Sequence, residues 1–496
     1  MSSTSSRLAG ALLANFVALA GLASLDGSRA SAQGRPAPPP LPTGQTNNPF
    51  PQPIVASEGV ITVTLREFAS LPEVNGIAAR AMTLVEEPGS RRRLFVSDMH
   101  GLLYVLSPDG KAVSPYLDVR DAKWQVRVQS QGRERGLQSF TLHPQFAEAG
   151  TPGFGRFYTY VDVEAGAAEA DFTTPNAAST HETVLLEWTA KTPGATTYDG
   201  ERPRELIRLR QPFANHNGGA IAFNPTARRG AGDYGLLYVG VGDGGSGGDP
   251  MNLAQNLGSA FGKILRIDPL GKNGRGGKYG IPATNPFLTT TGALPEIFAY
   301  GVRNSQRFVW DTKNGAMFVS DIGQNIVEEV SGPIAAGANL GWNTWEGSYR
   351  FVSRQAVRTD SVRGDPKVTY PIVEWDQTDS VLLDNGSSAS VGVVVYRSTA
   401  IPQLTNRIVF GDMPSGEVFH VSADALPDGG QDPIRRVLFV TAPGATPRPA
   451  LEVIQEKNRA QGRPVAQRAD LRFDMTSAGR IFVLNKADGT IRVMER

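Results

Sequence analysis

Apolar residues in this chain come in short runs separated by turn-forming residues, and from Gly59 onward most runs are too short for a helix. Arg93-Leu94-Phe95-Val96-Ser97-Asp98 leads through Met99-His100-Gly101 into Leu102-Leu103-Tyr104-Val105-Leu106. β-Branched and aromatic residues fill the runs, and Ser107-Pro108-Asp109-Gly110 is a turn by composition. Comparable runs occupy 61–65, 156–161, 183–188, 236–241, 316–321, 392–396, 407–412, 417–421 and 480–484. Four of them share one ending: LFVSD, LYVGVGD, MFVSD and IVFGD close on a small residue and then aspartate. Repetition of a short strand unit, without long helical periods, predicts an all-β chain arranged as a β-propeller. In such a fold the strand-end loops converge on one mouth. The number and spacing of units favour this over a pair of β-sandwiches or a β-helix.

A few stretches fall outside the pattern. The period of 325–330 fits a helical turn or a strand equally. The mixed-charge stretch 348–379 reads as an insertion over the mouth. The polar stretch 455–470 reads as a mobile loop.

Composition changes the picture in three places. The formal net charge is +1, which points away from a general nucleic-acid or anionic-membrane binder. Cysteine is absent, so disulfides, thiolate metal sites and cysteine nucleophiles are all excluded. At the start, Arg7, the apolar stretch 9–25 and Ala30-Ser31-Ala32 have the form of a cleavable signal peptide over 1–32. The expected location is therefore periplasmic or secreted, with no membrane span after cleavage. A proline-rich linker, containing Pro38-Pro39-Pro40, is expected over 33–58, with the propeller domain over 59–496.

Three constellations carry candidate chemistry. In Asn215-His216-Asn217-Gly218-Gly219 a histidine sits between polar side chains and before two glycines that permit close backbone approach. It is one of only five histidines, so few side chains can serve as a base near neutral pH. Asp243, in the turn after a strand, is placed to hold the imidazole. Arg303-Asn304 offers a guanidinium fork and an amide for an anionic oxygen. Ser320-Asp321-Ile322-Gly323-Gln324, followed by Glu328-Glu329, gathers carbonyls and carboxylates suited to a hard cation. Glu134, before a glycine, is placed to face the mouth, whereas His143-Pro144 reads as a structural turn.

Taken together, these residues resemble the soluble quinoprotein sugar dehydrogenases, the glucose/sorbosone and aldose sugar dehydrogenase group that uses pyrroloquinoline quinone (PQQ). The resemblance is carried by RGLQSFTLHPQF, NHNGGAIAFNP, LYVGVGDGG, LGSAFGKILRIDP, YGIPATNPF, EIFAYGVRNSQRFVWD and SDIGQNIVEEV with NLGWNTWEG, in that order. It implies a six-bladed propeller with PQQ and Ca2+ at the central mouth. By the same resemblance His216 is the general base, Asp243 its partner, and Arg303 the residue that stabilises charge on the quinone. Glu134, Asn215, His216, Arg303, Asn304 and Arg472 are then the PQQ-binding residues, and Gly323 and Gln324 supply carbonyls to calcium. The implied partners are a small sugar or alcohol substrate and an unidentified electron acceptor. The chain departs from the glucose-oxidising members at 411–416, where a lysine is expected and no basic residue occurs. The paired arginines of those members are matched only by Leu471-Arg472, leaving Arg472 or Arg397 to compensate. A cofactor-free binding propeller and a calcium-dependent, lactonase-like hydrolase are the alternative readings.

Overall fold

The computed structural model describes residues 40–175, 181–383 and 388–496. The expected signal peptide and the first residues of the expected linker lie outside this range. No helix among the described residues is long and apolar enough to cross a membrane.

The chain is all-β. Four separate four-stranded antiparallel sheets follow one another along it. The first holds Ala81–Glu86, Leu94–Asp98, Leu102–Leu106 and Val113–Asp118. The second holds Leu137–Leu142, Arg156–Glu164, His181–Thr189 and Arg204–Arg210. Ile221–Phe223, Leu237–Val241, Lys263–Ile267 and Ile297–Tyr300 form the third. Ser305–Trp310, Met317–Asp321, Val327–Ser331 and Pro371–Asp376 form the fourth.

An eight-stranded sheet completes the series. One half runs from Ser390–Tyr396 through Arg407–Asp412 and Val418–Ser422 to Arg435–Val440. The other half runs from Arg472–Met475 through Ile481–Leu484 and Thr490–Glu495 to Ile61–Ser70. The halves join where Ile61–Ser70 lies parallel to Arg435–Val440 while pairing antiparallel with Thr490–Glu495. A strand from the start of the domain thus closes the sheet formed by its end.

Second strands such as Leu94–Asp98, Leu237–Val241 and Met317–Asp321 are buried along their whole length. Sheets pack face to face on both sides of them, which is why the sequence shows continuous apolar runs there rather than alternation. Between the first two sheets the filling is aromatic: Phe95, Tyr116, Phe157, Trp188 and Tyr198 meet largely edge to face.

The aspartate that ends the repeated unit has a mechanical role. Asp98 accepts the backbone N–H of Arg80 at 3.0 Å, and Asp321 those of Arg303 and Asn304 at 2.7 and 2.8 Å. Asp412 accepts that of Ala389 at 2.9 Å. Each carboxylate fixes the residues that lead into the first strand of its own sheet. The third sheet is the exception: Asp243 gives its carboxylate to His216.

Four expectations change. Residues of the expected linker are docked from Pro42 onward: Gln45–Thr46 pairs with Ala356–Arg358, and the Ile54 N–H donates to Asp379 Oδ2 at 2.7 Å. The expected mobile loop 455–470 begins inside an α-helix, Ala450–Ala460, which buries Leu451, Val453 and Ile454. The apolar half of that helix precedes 455, so the polar stretch by itself hid it. The ambiguous stretch 325–330 resolves as the strand Val327–Ser331. The insertion is not loop alone; Trp345–Glu346, Tyr349–Ser353 and Ala356–Arg358 form a small sheet with Gln45–Thr46.

Candidate active site

The first strands of the four separate sheets, together with Ser390–Tyr396 and Arg472–Met475 of the eight-stranded sheet, border a common central channel, which holds two cavities back to back. Gln306 and Arg472 line the upper one, and their neighbours Arg307 and Phe473 line the lower.

The upper cavity has a volume of about 240 Å³. His216 reaches it from the loop before Ile221–Phe223. This loop is tightly fitted: a Cβ on Gly218 would lie 2.4 Å from the Gly240 carbonyl oxygen, and one on Gly242 would meet that of His216 at 2.0 Å. His216 itself adopts φ +56°, and its backbone N–H donates to Glu134 Oε2 at 2.9 Å. The short strand end and the glycines therefore press the loop inward, and Glu134 holds it from across the cavity.

His216 Nδ1 lies 2.8 Å from Asp243 Oδ1. Asp243 also accepts the Gly245 N–H at 2.8 Å and Trp342 Nε1–H at 2.9 Å, so three donors fix the carboxylate. Arg303 Nη2 lies 3.0 Å from His216 Nε2. A guanidinium can only donate, so Nε2 must accept, and Nδ1 carries the proton toward Asp243. The imidazole is thereby held in one neutral tautomer with its lone pair on the cavity side. Arg303 Nη1 also donates to the Ile322 carbonyl at 2.9 Å, and the guanidinium lies 5.7 Å from the centre of the Trp342 ring.

His216, Arg303, Asn304, Glu134, Arg472, Gly323 and Gln324 all line this cavity. Asp243 stands behind His216. Asn215 does not join the wall, since its side-chain oxygen accepts the Ser246 N–H at 3.1 Å. Asn304 Oδ1 accepts the Gly218 N–H at 3.1 Å, tying the Arg303 loop to the His216 loop.

The wall is electrostatically two-sided. On one side stand Arg133, Arg468, Arg472 and Lys486. Arg468 is paired with Asp470, but no ion pair among the described residues involves Arg133, Arg472 or Lys486. Arg472 is buried; its Nη2 donates to Gln306 Oε1 at 2.9 Å, while its Nε has no partner. Burial, and then the nearby Arg307, lower its pKa to about 9. Burial likewise pushes the Lys486 ammonium well down, with Arg472 adding to it. Asp470, paired with Arg468, and Glu134 share the wall, so four basic side chains face two carboxylates, an excess of positive charge that suits an anion.

On the other side, Gly323 and Gln324 lie above buried acids. Burial raises Asp321 to about 6 and Glu328 to about 8. Burial and then Asp321 push Glu329 far above the usual carboxylate range. Among the described residues no group of three or more His, Asp or Glu side chains is arranged to hold a metal ion. A cation held here would therefore have to take most of its oxygens from groups other than acid side chains.

Arg133, Arg468 and Lys486 were missed in the sequence. The 411–416 stretch does reach the cavity, but with the apolar Met413. Arg397 plays no part, being bound to Asp311 at 2.6 Å and Asp424 at 2.7 Å away from the cavity wall. Lys486 was legible in principle: it follows Ile481–Leu484, a strand of the repeated type whose end faces the mouth. Arg468 lay in a stretch dismissed as loop. His143 is structural as expected: it is buried, its Nδ1 accepts the Gln145 N–H at 3.1 Å, and burial lowers its pKa to about 4.

An all-β ring of small sheets, with a histidine–carboxylate pair and a two-sided polar cavity on its axis, defines the class. The chain belongs to the glucose/sorbosone dehydrogenase family, whose model matches residues 80–431. It is 30% identical over 371 residues to the HIPL2 protein of Arabidopsis thaliana, covering 67% of this chain and 50% of that relative. It is 25% identical over 221 residues to an aldose sugar dehydrogenase of Escherichia coli, covering 44% of this chain and 51% of that one. The chain thus spans about half the length of the curated relatives it matches. Its fold matches the apo form of the soluble aldose sugar dehydrogenase of Escherichia coli, with TM-score 0.59 at 18% identity, over 87% of this chain and 99% of the other. It also matches the PQQ-bound aldose sugar dehydrogenase of Streptomyces coelicolor, with TM-score 0.54 at 20% identity, over 87% and 97%.

Proposed function

We propose that this chain is an exported, PQQ- and calcium-dependent dehydrogenase that oxidises the C1 hydroxyl of an aldose, or a related alcohol, and passes the electrons to an external acceptor. The four separate sheets and the two halves of the eight-stranded sheet would be its six blades. The observation that carries the reading is His216 Nε2, a lone pair held on the cavity side by Asp243 and Arg303.

The residues fit the groups proposed. A cofactor bearing several carboxylates suits the wall of Arg133, Arg468, Arg472 and Lys486, where the Arg472 Nε lacks a partner. A calcium ion suits the carbonyls of Gly323 and Gln324 over their buried acids. Bound there, PQQ would supply an electrophilic carbonyl as hydride acceptor, and calcium would make that carbonyl more reactive.

The chain's own residues handle the proton. His216 Nε2 accepts the proton of the substrate hydroxyl as the C–H electron pair departs. Asp243 stabilises the resulting imidazolium, and its two further donors keep it from turning away. Arg303 must leave Nε2 for the substrate to reach it. Its guanidinium is then free to stabilise negative charge developing on an acceptor oxygen.

The test is direct. The purified mature chain is given PQQ and Ca2+, and dye reduction is followed with a panel of sugars and alcohols. Turnover is expected; absence of both PQQ binding and turnover sinks the reading.

One alternative has an observation in its favour. The chain is 28% identical over 247 residues to the human Hedgehog-interacting protein, covering 48% of this chain and 31% of that relative, and is similar to the HIPL2 protein noted above. This second reading is a propeller that binds a protein or carbohydrate without redox chemistry, and it expects no PQQ uptake. A lactonase-like hydrolase would need carboxylates gathered on a metal, and the described residues offer no such group.

A further inference from the structure

We propose that Glu346, supplied by the insertion between the third and fourth strands of the fourth sheet, is a positioning residue for the Gly323–Gln324 turn. It lies outside the cavity wall. Glu346 is buried in the short strand Trp345–Glu346. Its Oε1 accepts four successive backbone N–H groups, those of Gln324, Asn325 and Ile326 at 2.9 Å and that of Val327 at 3.1 Å. A run of N–H groups turned toward one point is a concavity with positive potential, and a carboxylate fills it with charge-assisted bonds. The loop that joins the second and third strands therefore wraps around this oxygen. Without the carboxylate, three buried donors and the part-buried one of Asn325 would be left to find other partners.

The consequence for the site is directional. With their N–H groups turned down onto Glu346, the peptides of this loop are fixed in orientation. The turn is thereby held in one shape, with no freedom to rotate its carbonyls as it docks a cation. The same insertion also serves the base. Trp342, four residues earlier, holds Asp243 Oδ2 at 2.9 Å, and the chain between is tightened by Thr344 and Trp345 N–H groups on the Gly341 carbonyl, both at 2.9 Å. One turn thus braces the histidine–carboxylate pair with Trp342 and the cation loop with Glu346. The placement of Glu346 stands on the hydrogen bonds alone; that the loop holds calcium beside PQQ rests on the reading above.

Two variants test this. Amide hydrogen exchange is measured on the cofactor-free full chain, with the strand Leu137–Leu142 as an internal reference. In Glu346→Gln the oxygen is kept and the charge removed, and exchange at 324–327 is expected to quicken about tenfold. In Glu346→Leu it is expected to quicken about a hundredfold or more, with the reference strand unchanged. Unaltered protection at 324–327 in Glu346→Gln overturns the proposal, and this variant decides alone if Glu346→Leu does not fold. On the PQQ-loaded protein, Glu346→Gln is expected to raise the calcium concentration needed for half-maximal activity about tenfold. Its kcat at saturating calcium is expected to stay within about threefold of wild type. A lowered saturated kcat with an unchanged calcium requirement also overturns it. If the wild-type chain takes up no PQQ, the functional reading fails, while the exchange measurement still decides the role of Glu346.

Discussion

The two cavities on the axis invite comparison. The lower one, at about 560 Å³, is more than twice the size of the upper, at about 240 Å³. Its wall is drawn from Val85, Thr141, Ala222, Val309 and Val395, with Arg307 and Asp474 near its closed end. Those two lie 3.8 Å apart, and Arg307 also donates to Thr83 Oγ1 at 3.2 Å. The lower cavity thus largely answers its own charges. The upper cavity does not: it faces an oriented imidazole and four basic side chains against the carboxylates of Asp470 and Glu134. Under the proposed function, unanswered polarity and not volume separates the reactive cavity from a space left by packing.

The largest expected effect is on His216→Ala, which should lose about a thousandfold in turnover with PQQ still bound, since the proton acceptor is removed while the other residues proposed to hold PQQ remain. Unchanged turnover would take His216 out of the mechanism. Arg303→Met should cost about a hundredfold in kcat through loss of charge stabilisation, read in single-turnover dye reduction. Lys486→Met should weaken PQQ binding about tenfold or more by removing one charge-assisted contact, with saturated kcat little changed.

In the lower cavity the effects should concern stability alone. Burial raises Asp474 from 3.8 to about 6. Between those values the folded chain binds more protons than the unfolded one, so this group's contribution falls as pH rises through the window. Asp474→Asn keeps an acceptor for the Leu84 N–H, now bonded at 2.8 Å, and should flatten that slope in denaturant titrations from pH 4 to pH 6. The smallest effect is expected for Ala222→Leu, whose added atoms enter open channel space; turnover should stay within about twofold. A large loss of turnover there would mean that the lower cavity takes part in the reaction.

The sequence was legible where chemistry repeats. The strand unit ending in aspartate announced the sheets, whereas the departure of Asp243 from the role of its counterparts shows only in the structure. His216, Arg303 and Asn304 were found because their neighbours are unusual. Lys486 and Arg468 were not, because a lone basic residue in a polar stretch looks the same whether it faces solvent or a cavity. Trp342 and Glu346 act through the backbone and side chains of distant segments, and no local pattern announces such contacts. The helix Ala450–Ala460 was hidden because its buried face lies in its first two turns, ahead of the polar stretch.

The pairing of Ile61–Ser70 with Thr490–Glu495 has a consequence for the life of the chain. The cavity takes Glu134 from early in the chain and Lys486 from near its end, ten residues before the last residue of the sequence. During synthesis the sheets can form one after another, but the ring cannot shut until its final strand has emerged. A partly made chain therefore has no finished pocket, and under the proposed function cofactor capture has to wait for closure. Uptake of the proposed cofactor would in this sense report that the ring has closed.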